Sequence, residues 1–328
     1  MAKKRLLVVL ALLAIRCNAF SDESRRIYAE RYPAIFKTFL QHTNEKEVDA
    51  ASIARISTLI ANEQPGWLRD NPIIYDIGCG DGYLSSLVLK DLHAVIPGDV
   101  HYIGIDPQEE FLHQTARALN EMSWVKPSFK AHKFEQVTSD TTQYPVADMI
   151  LMSQCCYYMR DTYSCIDTMK QLMSPQGYAF LIHVDDSVLH QLKKKHKDII
   201  ESKSVDLLGT IETALTKADL LYAIATLPVS LTFPEIADNT WQQLLTVPYD
   251  HYDINYDALG NDFICMKNLF ELFFEHPLEA FSPEHKKLLL EELRVILTDA
   301  HYTITISYRM HVVFAGTLPE QLFSELRK

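Results

Sequence analysis

The chain has 328 residues, of which 48% are hydrophobic and 10% aromatic, so it can fill one large domain or a domain with a sizeable insertion. The formal net charge of −12 argues against a nucleic-acid partner, because binding to phosphates needs a basic surface. The six cysteines show no spacing typical of zinc ligands, so we expect no metal site and mostly free, buried thiols.

The first twenty residues have the layout of a secretory signal peptide. A basic segment at residues 3–5 precedes an apolar run at residues 6–15, and residues 17–19 stand before a candidate cleavage point. The run is too short for an ordinary membrane span, so we expect no stable span. The pattern therefore predicts a targeting leader and export. The alternatives are a mis-set start or a small membrane-surface helix, and a cytoplasmic location.

Two helices are predicted after the leader. The first starts at a capping segment, residues 21–24, and carries aromatic side chains at three- and four-residue spacings, including Tyr32 and Phe36. A polar break at residues 41–45 separates it from a second helix at about residues 48–60. The aromatic stripe is typical of a core, and a lid over a ligand site is the alternative.

The segment IIYDIGCGDGYL, residues 73–84, is the strongest motif of the chain. It begins as an apolar strand, passes through Asp76 into a loop with glycine at every second position, and ends in an apolar helical pattern. Glycines let a backbone approach a ligand closely, and a helix N-terminus offers free amide groups. The motif therefore predicts a nucleotide-type binding loop rather than a purely structural turn. Its glycines are Gly78, Gly80 and Gly82.

A second apolar strand, at residues 100–105, ends in Asp106. An acidic side chain at the tip of this strand is placed to accept hydrogen bonds from ribose hydroxyls. The motifs D-I-G-C-G-D-G and G-I-D-P together resemble class I S-adenosylmethionine-dependent methyltransferases rather than NAD enzymes. The resemblance implies S-adenosyl-L-methionine as the cofactor and S-adenosyl-L-homocysteine as the product.

Helices and strands alternate beyond Asp106. Helices are predicted at residues 108–120 and 162–173, and strands at residues 129–134, 147–152 and 178–184. This alternation predicts an α/β fold with a doubly wound, mostly parallel sheet, the Rossmann-like fold of class I methyltransferases. Gly78, Asp106 and Gln154 all follow strands, at the sheet edge where such folds bind ligands.

The last part of the chain is predicted to place a helical insertion between two late strands. A basic helix containing residues 193–195 comes first, and Ser282 with Pro283 caps a later helix. The other predicted elements are a helix at residues 216–225, a strand at 229–233, helices at 263–275 and 283–300, and a final strand at 303–314. The two late strands are predicted to form an antiparallel edge of the sheet.

We accordingly divide the chain into a leader at residues 1–20 and one methyltransferase domain at residues 21–328. The parts of that domain are an N-terminal helical lid at 21–66, a cofactor-binding core at 67–233, a helical insertion at 234–300, and a final strand with its tail at 301–328.

Most of the chain after the leader is more specifically similar to the histamine N-methyltransferase family. The likeness lies in residues 32–47, in the segment ADMILMSQCCYYMRD at residues 147–161, and in the long C-terminal insertion. It implies a monomeric enzyme that moves a methyl group from S-adenosylmethionine to the imidazole of histamine. Glu45 and Gln154 match substrate-binding residues: Glu45 is predicted to anchor an ammonium group, and Gln154 to orient the nucleophile.

The resemblance also implies aromatic walls around the acceptor, from Tyr32 and Phe36 of the lid and from Tyr157 and Tyr158 after the fourth strand. The predicted cofactor-binding residues are Asp76, Gly78, Gly80, Asp81, Gly82, Asp106, Gln136 and Ser153. Asp106 stands where the family has a ribose-binding glutamate, and Gln136 lies near a family serine on the adenine side.

The chain departs from the family pattern on two sides of the predicted pocket. Leu189 and Lys193 stand where the family has two tryptophans, and the late asparagine of the family aligns near Ser307 or Tyr308. Of these two residues, Ser307 is the one predicted to bind the substrate. The acceptor is therefore predicted only as a small amine or imidazole. The alternatives are another acceptor, such as a protein side chain, and a non-catalytic protein that binds the cofactor.

Overall fold

The computed structural model describes residues 21–64, 70–96, 98–137, 143–185, 188–200, 207–252, 255–256 and 259–317. The leader predicted at residues 1–20 lies outside the described residues. Within the described part, no helix is both long enough and apolar enough to cross a membrane.

Contacts between residues divide the chain into two compact units. Unit 1 comprises Met1–Thr43, Val188–Val205 and Ser230–Thr305, and unit 2 comprises Asn44–Ser187, Asp206–Val229 and Ile306–Lys328. The division of the chain into lid, core, insertion and tail stays a prediction.

Unit 1 is helical. Its described helices are α1 (Asp22–His42), α6 (Val188–Lys195), α8 (Asp238–Thr246), α9 (Asn261–Phe274) and α10 (Pro283–Asp299). The predicted caps are present, since Ser21 Oγ accepts from the Ser24 amide at 3.1 Å and Ser282 Oγ accepts from the His285 amide at 3.3 Å.

Unit 2 contains the rest of the described helices and most of a seven-stranded sheet. The helices are α2 (Glu45–Glu63), α3 (Tyr83–Leu92), α4 (Glu109–Leu119), α5 (Thr162–Leu172) and α7 (Leu207–Lys217). The strands are β1 (Ile73–Ile77), β2 (Val100–Ile105), β3 (Val125–Lys130), β4 (Ala147–Ser153), β5 (Met173–Val184), β6 (Leu221–Thr232) and β7 (Thr303–Phe314).

The strand order is β3-β2-β1-β4-β5-β7-β6. In this spatial order, each neighbouring pair from β3 through β2, β1 and β4 to β5 is parallel. Strand β7 runs antiparallel to β5. The central strands are buried on both faces, which explains their continuous apolar sequences. The predicted fold class, a doubly wound and mostly parallel sheet with an antiparallel strand near one edge, is thereby confirmed.

Two element predictions were wrong, and both concern edge strands. The third strand lies at Val125–Lys130 instead of residues 129–134, and a strand replaces the second half of the helix predicted at residues 216–225. Both strands stand at an edge of the sheet and contain a proline, Pro127 and Pro228, whose missing amide is tolerated there. Exposed side chains in these edge strands weaken the apolar pattern on which the prediction depended.

Candidate active site

The candidate site lies where the strand order reverses. β1 pairs with β2 on one side and with β4 on the other, so the chain leaves β1 at a topological switch point. In doubly wound sheets the crevice beside such a point is where ligands bind. The glycine loop follows β1, Asp106 follows β2, and Gln154 follows β4. The structure thus brings three predicted site segments to one edge of the sheet.

Two glycines of the loop are required by packing as well as by backbone conformation. Gly78 has φ 70° and Gly82 has φ 76°, in the left-handed region that favours glycine. A Cβ at Gly78 would lie 2.6 Å from Cys155 Cβ, and one at Gly82 would lie 2.6 Å from Thr115 Cα. The loop therefore fits tightly between the segment after β4 and helix α4.

The backbone amides of the loop are largely used inside the domain. The Ile105 carbonyl accepts from the amides of Gly78 at 2.7 Å and Cys79 at 3.3 Å. The Gly80 amide donates to Asp106 Oδ2 at 3.2 Å. A Cβ at Gly80 would meet nothing within 4 Å. At these positions the loop offers close approach to its backbone, and not the free amide groups that the sequence led us to expect.

Asp106 holds the loop and the start of the next helix together. Its Oδ1 accepts from the Gln108 amide at 2.8 Å, while Oδ2 accepts from Gly80. Burial raises the pKa of Asp106, and the two backbone hydrogen bonds oppose this rise. Each carboxylate oxygen can accept more than one hydrogen bond. A contact of Asp106 with the ribose of a cofactor stays a prediction.

The other acidic residues predicted to bind the cofactor have structural partners in the domain. The Asp76 carboxylate is buried and accepts hydrogen bonds from Ser85 and, at 2.9 Å, from Tyr102. Burial raises the pKa of Asp76, and these two hydrogen bonds oppose the rise. Asp81 Oδ1 accepts from the Tyr83 amide, at the first residue of α3, at 3.1 Å. Direct contacts of Asp76 and Asp81 with a cofactor stay predictions.

Gln136 lies after β3, in a segment separate from the glycine loop. It ends a short 3₁₀ turn, Phe134–Gln136, and its side chain is exposed. Its Oε1 accepts from the Lys133 amide at 2.9 Å. The adenine-side role of Gln136 stays a prediction.

Glu45 is the first residue of α2 rather than part of a solvated loop, and it is 1% exposed. Lys46 Nζ lies 2.9 Å from Glu45 Oε1, and the Tyr308 hydroxyl donates to Oε2 at 2.5 Å. Burial lowers the pKa of Lys46, but the carboxylates of Glu45 and Asp49 outweigh it and raise that pKa above its usual value. Burial and Glu45 likewise raise the pKa of Tyr308. The predicted anchor is thus already in a hydrogen-bonded ion pair.

Sequence reasoning missed Asp49, which lies one helical turn after Glu45 on the same face of α2. Asp49 is 0% exposed, and its Oδ2 accepts from Ser153 Oγ at 3.0 Å. Burial, followed by the charge of Glu45, raises the pKa of Asp49 to about 8. The only signal in the sequence was the spacing of two acids four residues apart in a predicted helix, which is usually a solvated face.

Gln154 lies directly after β4, as predicted, and is 8% exposed. Its φ is 54°, a conformation that costs a residue other than glycine about 1 kcal/mol. The Tyr157 hydroxyl donates to Gln154 Oε1 at 3.3 Å. The rings of Tyr157 and Tyr158 meet edge to face at 4.7 Å, but Tyr158 is 62% exposed. Tyr157 is therefore hydrogen-bonded to Gln154, whereas Tyr158 presents its ring to solvent.

Of the two late-strand candidates, Tyr308 and not Ser307 contacts Glu45. Ser307 is half-buried, and its carbonyl accepts from the Asp185 amide at 2.8 Å. A substrate contact of Ser307 stays a prediction.

The two lid aromatics belong to α1 in unit 1. The rings of Tyr32 and Phe36 stack with centroids 5.6 Å apart. Their predicted role over the acceptor stays a prediction.

Cysteines and metal ligands add no further site. The five cysteines in the described residues are free, as predicted, and four of them are buried. Across the same residues, no group of three or more histidines, cysteines or acids has the arrangement of a metal site.

The comparisons with known proteins bear on the region around the glycine loop. Residues 75–179 match the family model described as a methyltransferase domain. The match runs from within β1 to within β5 and includes the glycine loop, Asp106 and Gln154.

This part of the chain is a methyltransferase domain. The chain therefore contains a methyltransferase domain, which agrees with the predicted enzyme class. The match says nothing about the acceptor.

Solved structures similar to this chain share little sequence identity with it. The YcgJ protein from Bacillus subtilis is 11% identical with a TM-score of 0.45, over 80% of this chain and 98% of that one. A Bacillus halodurans C-125 protein assigned as a methyltransferase is 10% identical with a TM-score of 0.46, over 81% and 100%.

The plantazolicin methyltransferase BpumL, in complex with S-adenosylhomocysteine, is 16% identical with a TM-score of 0.41, over 94% of this chain and 98% of that one. With TM-scores below 0.5, these structures carry no argument about the acceptor. No curated protein matches the chain.

Proposed function

We propose that this methyltransferase transfers a methyl group to a nitrogen of a small amine or imidazole, of the kind that histamine represents. The observation that supports this acceptor class is the buried carboxyl pair of α2, Glu45 and Asp49, which has Lys46 as its nearby ammonium. Two carboxyl groups beside one ammonium form an environment complementary to one further cation.

S-adenosylmethionine, when bound, supplies a methyl group on a positively charged sulfur, whose bond to carbon breaks as the nitrogen–carbon bond forms. The chain contributes mainly by holding the reacting groups in line, which is worth about 7–11 kcal/mol in the best intramolecular reactions. In this proposal Asp106 binds the ribose, the open side of Gly80 admits the nucleoside, and Gln154 orients the acceptor. The buried carboxyl pair of α2 binds its cationic end.

The cofactor site is tested by calorimetric titration of S-adenosylhomocysteine into the protein. We expect one-to-one binding, weakened roughly tenfold to a hundredfold in Asp106→Ala because hydrogen bonds to a carboxylate are lost. Asp99→Ala is the matched control, since Asp99 precedes the same strand at its other end. The Asp99 carboxylate lies 3.5 Å from Lys126 and is 49% exposed, so we expect unchanged binding.

The acceptor is tested by a methyl-transfer screen of small amines, imidazoles and peptides. Turnover on amines or imidazoles supports the proposal. Turnover confined to peptides would replace it by a protein side-chain acceptor, and cofactor binding without any turnover would indicate a binding protein. Failure of the folded protein to bind S-adenosylhomocysteine would contradict the cofactor site itself.

A further inference from the structure

The two buried carboxyl groups of α2, Glu45 and Asp49, differ in their hydrogen bonds and ion pairs. Glu45 Oε1 lies 2.9 Å from Lys46 Nζ, and Glu45 Oε2 accepts from the Tyr308 hydroxyl at 2.5 Å. Asp49, equally buried, receives one hydrogen bond, from Ser153 Oγ at 3.0 Å. Its second oxygen, Oδ1, is buried and has no hydrogen-bond partner among the described residues. Asp49 is therefore the carboxyl group with unused binding capacity.

The ionisation of Asp49 reflects this position. Burial and then the charge of Glu45 raise its pKa to about 8, while Lys46 and the hydrogen bond from Ser153 oppose the rise. Tyr308 of β7 is a further titratable group that faces Asp49. At pH 7 the Asp49 carboxyl is therefore mostly protonated, and a cation placed beside it would favour the charged form.

A second buried polar atom without a partner belongs to the residue after Ser153, the residue that donates to Asp49. Gln154 directly follows Ser153, and its buried Nε2 also lacks a hydrogen-bond partner within the described part of the chain. Its Oε1 accepts from the Tyr157 hydroxyl, and Tyr157 contributes to the raised pKa of Tyr308. Backbone strain such as the positive φ of Gln154 clusters at ligand sites.

Asp49 Oδ1 and Gln154 Nε2 are a buried acceptor and a buried donor that make no hydrogen bond with each other. Buried polar atoms in folded proteins are nearly always paired with protein groups, ordered water or a ligand, and a ligand bound here would supply the missing partners. A small amine or imidazole with an N–H group and an acceptor atom has this chemistry.

We propose that Asp49 binds a positively charged nitrogen of the methyl acceptor, distinct from the neutral nitrogen that takes the methyl group, and gives up its own proton when it does so. This inference rests on the proposed function and names the residue that recognises the acceptor. The protonated Asp49 carboxyl and a free ammonium become a carboxylate–ammonium pair, and the displaced proton leaves to the solvent. Gln154 Nε2 donates to an acceptor atom of the same molecule.

Proton release provides a test that needs no variant. Histamine is titrated calorimetrically into the full chain saturated with S-adenosylhomocysteine, in two buffers of different ionisation enthalpy. We expect proton release when histamine binds at pH 7 and clearly less release at pH 8.5, since more of the carboxyl is ionised beforehand at the higher pH.

A variant then assigns the proton to Asp49. We expect Asp49→Asn to abolish proton release and to weaken histamine binding at pH 8.5 by about tenfold or more, with binding of S-adenosylhomocysteine unchanged. Asp91→Asn is the charge-matched control, because Asp91 is an exposed acid of α3, and it should behave as the wild type in both titrations.

Histamine binding without proton release, or with equal strength in Asp49→Asn, would overturn the Asp49 assignment and leave the methyltransferase function standing. A wild type that binds S-adenosylhomocysteine but not histamine would overturn the Asp49 assignment together with the histamine-like acceptor. A folded wild type that does not bind S-adenosylhomocysteine would instead contradict the proposed function.

Discussion

At the scale of single residues, the glycine loop shows where a side chain has no room. Gly82 and Gly80 both have positive φ, but their surroundings differ. A Cβ at Gly82 would meet the backbone of Thr115 at 2.6 Å, which cannot move without shifting α4. At Gly80 a Cβ would meet nothing within 4 Å. Gly82 is thus required by packing, whereas Gly80 keeps one face of the loop open.

We expect Gly82→Ala to destabilise the protein by clearly more than Gly80→Ala. Both variants have the cost of a left-handed alanine, about 1–2 kcal/mol. Only the first adds a clash with helix backbone. Urea unfolding of both variants and the wild type gives the comparison. Equal losses of unfolding free energy would show that α4 gives way without cost.

Gly80→Ala then has a separate use as a probe of the cofactor site. Because its methyl group would point into open space beside Asp106, we expect weaker binding of S-adenosylhomocysteine with the fold intact.

At the scale of elements, a buried ion cluster joins α1 to the later part of unit 1. Arg31 of α1 donates to Glu279 Oε1 at 2.9 Å and to the Tyr252 carbonyl at 2.9 Å, and lies 3.5 Å from Glu271. Both glutamate side chains are 0% exposed. Lys267 pairs with Glu271 at 2.7 Å, so Arg31 is the cation that compensates the second buried carboxylate.

We expect Arg31→Ala to lower the free energy of unfolding by about 3–5 kcal/mol, because it leaves buried negative charge without its partner. Arg26→Ala is the matched control in the same helix. Arg26 pairs with Glu30 at 2.6 Å, but both side chains are mostly exposed, so a loss of about 0–1 kcal/mol is expected. Similar losses in the two variants, measured by chemical denaturation, would refute a special role for the buried cluster.

At the scale of the whole molecule, buried titratable groups set how stability responds to acid. His183 of β5 and His311 of β7 stack with ring centroids 5.1 Å apart and are 1% and 0% exposed. Burial lowers the pKa of His183 to about 3 and that of His311 to about 4. The unfolded chain takes up these protons near pH 6.5, so stability is lost as the pH falls below that value.

Asp49 titrates with the opposite sign. Because its pKa is raised to about 8 in the fold, it contributes stability that grows as the pH falls from 8 toward 4. The wild-type curve is therefore a difference between opposing contributions, and only a comparison of variants isolates the histidines.

We expect the loss of unfolding free energy between pH 7 and pH 5 to be smaller in His183→Asn than in the wild type, by about 2 kcal/mol. His113→Asn, at an exposed position of α4, should leave the loss unchanged. Urea unfolding at the two pH values gives the result. An unchanged loss in His183→Asn would mean that this histidine is already protonated in the fold at pH 5. The monomeric state implied by the family resemblance stays a prediction at this scale.

Elements with local signals can be predicted from the sequence alone. The loop glycines, the acid at the tip of β2 and the helix caps at Ser21 and Ser282 depend on residues within a few positions of one another. The alternation of apolar strands with helices was likewise sufficient for the fold class, because central strands are buried on both faces. The methyltransferase class followed from these local motifs.

Which polar groups meet on the buried face of α2 depends on contacts between residues far apart in the chain. Asp49 reaches Ser153 across 104 positions of the chain, and Glu45 reaches Tyr308 across 263. No local pattern distinguishes a buried carboxyl from a solvated one on a helix face. The difference arises from what the sheet places against that face, and from this follow the raised pKa of Asp49 and its proposed role.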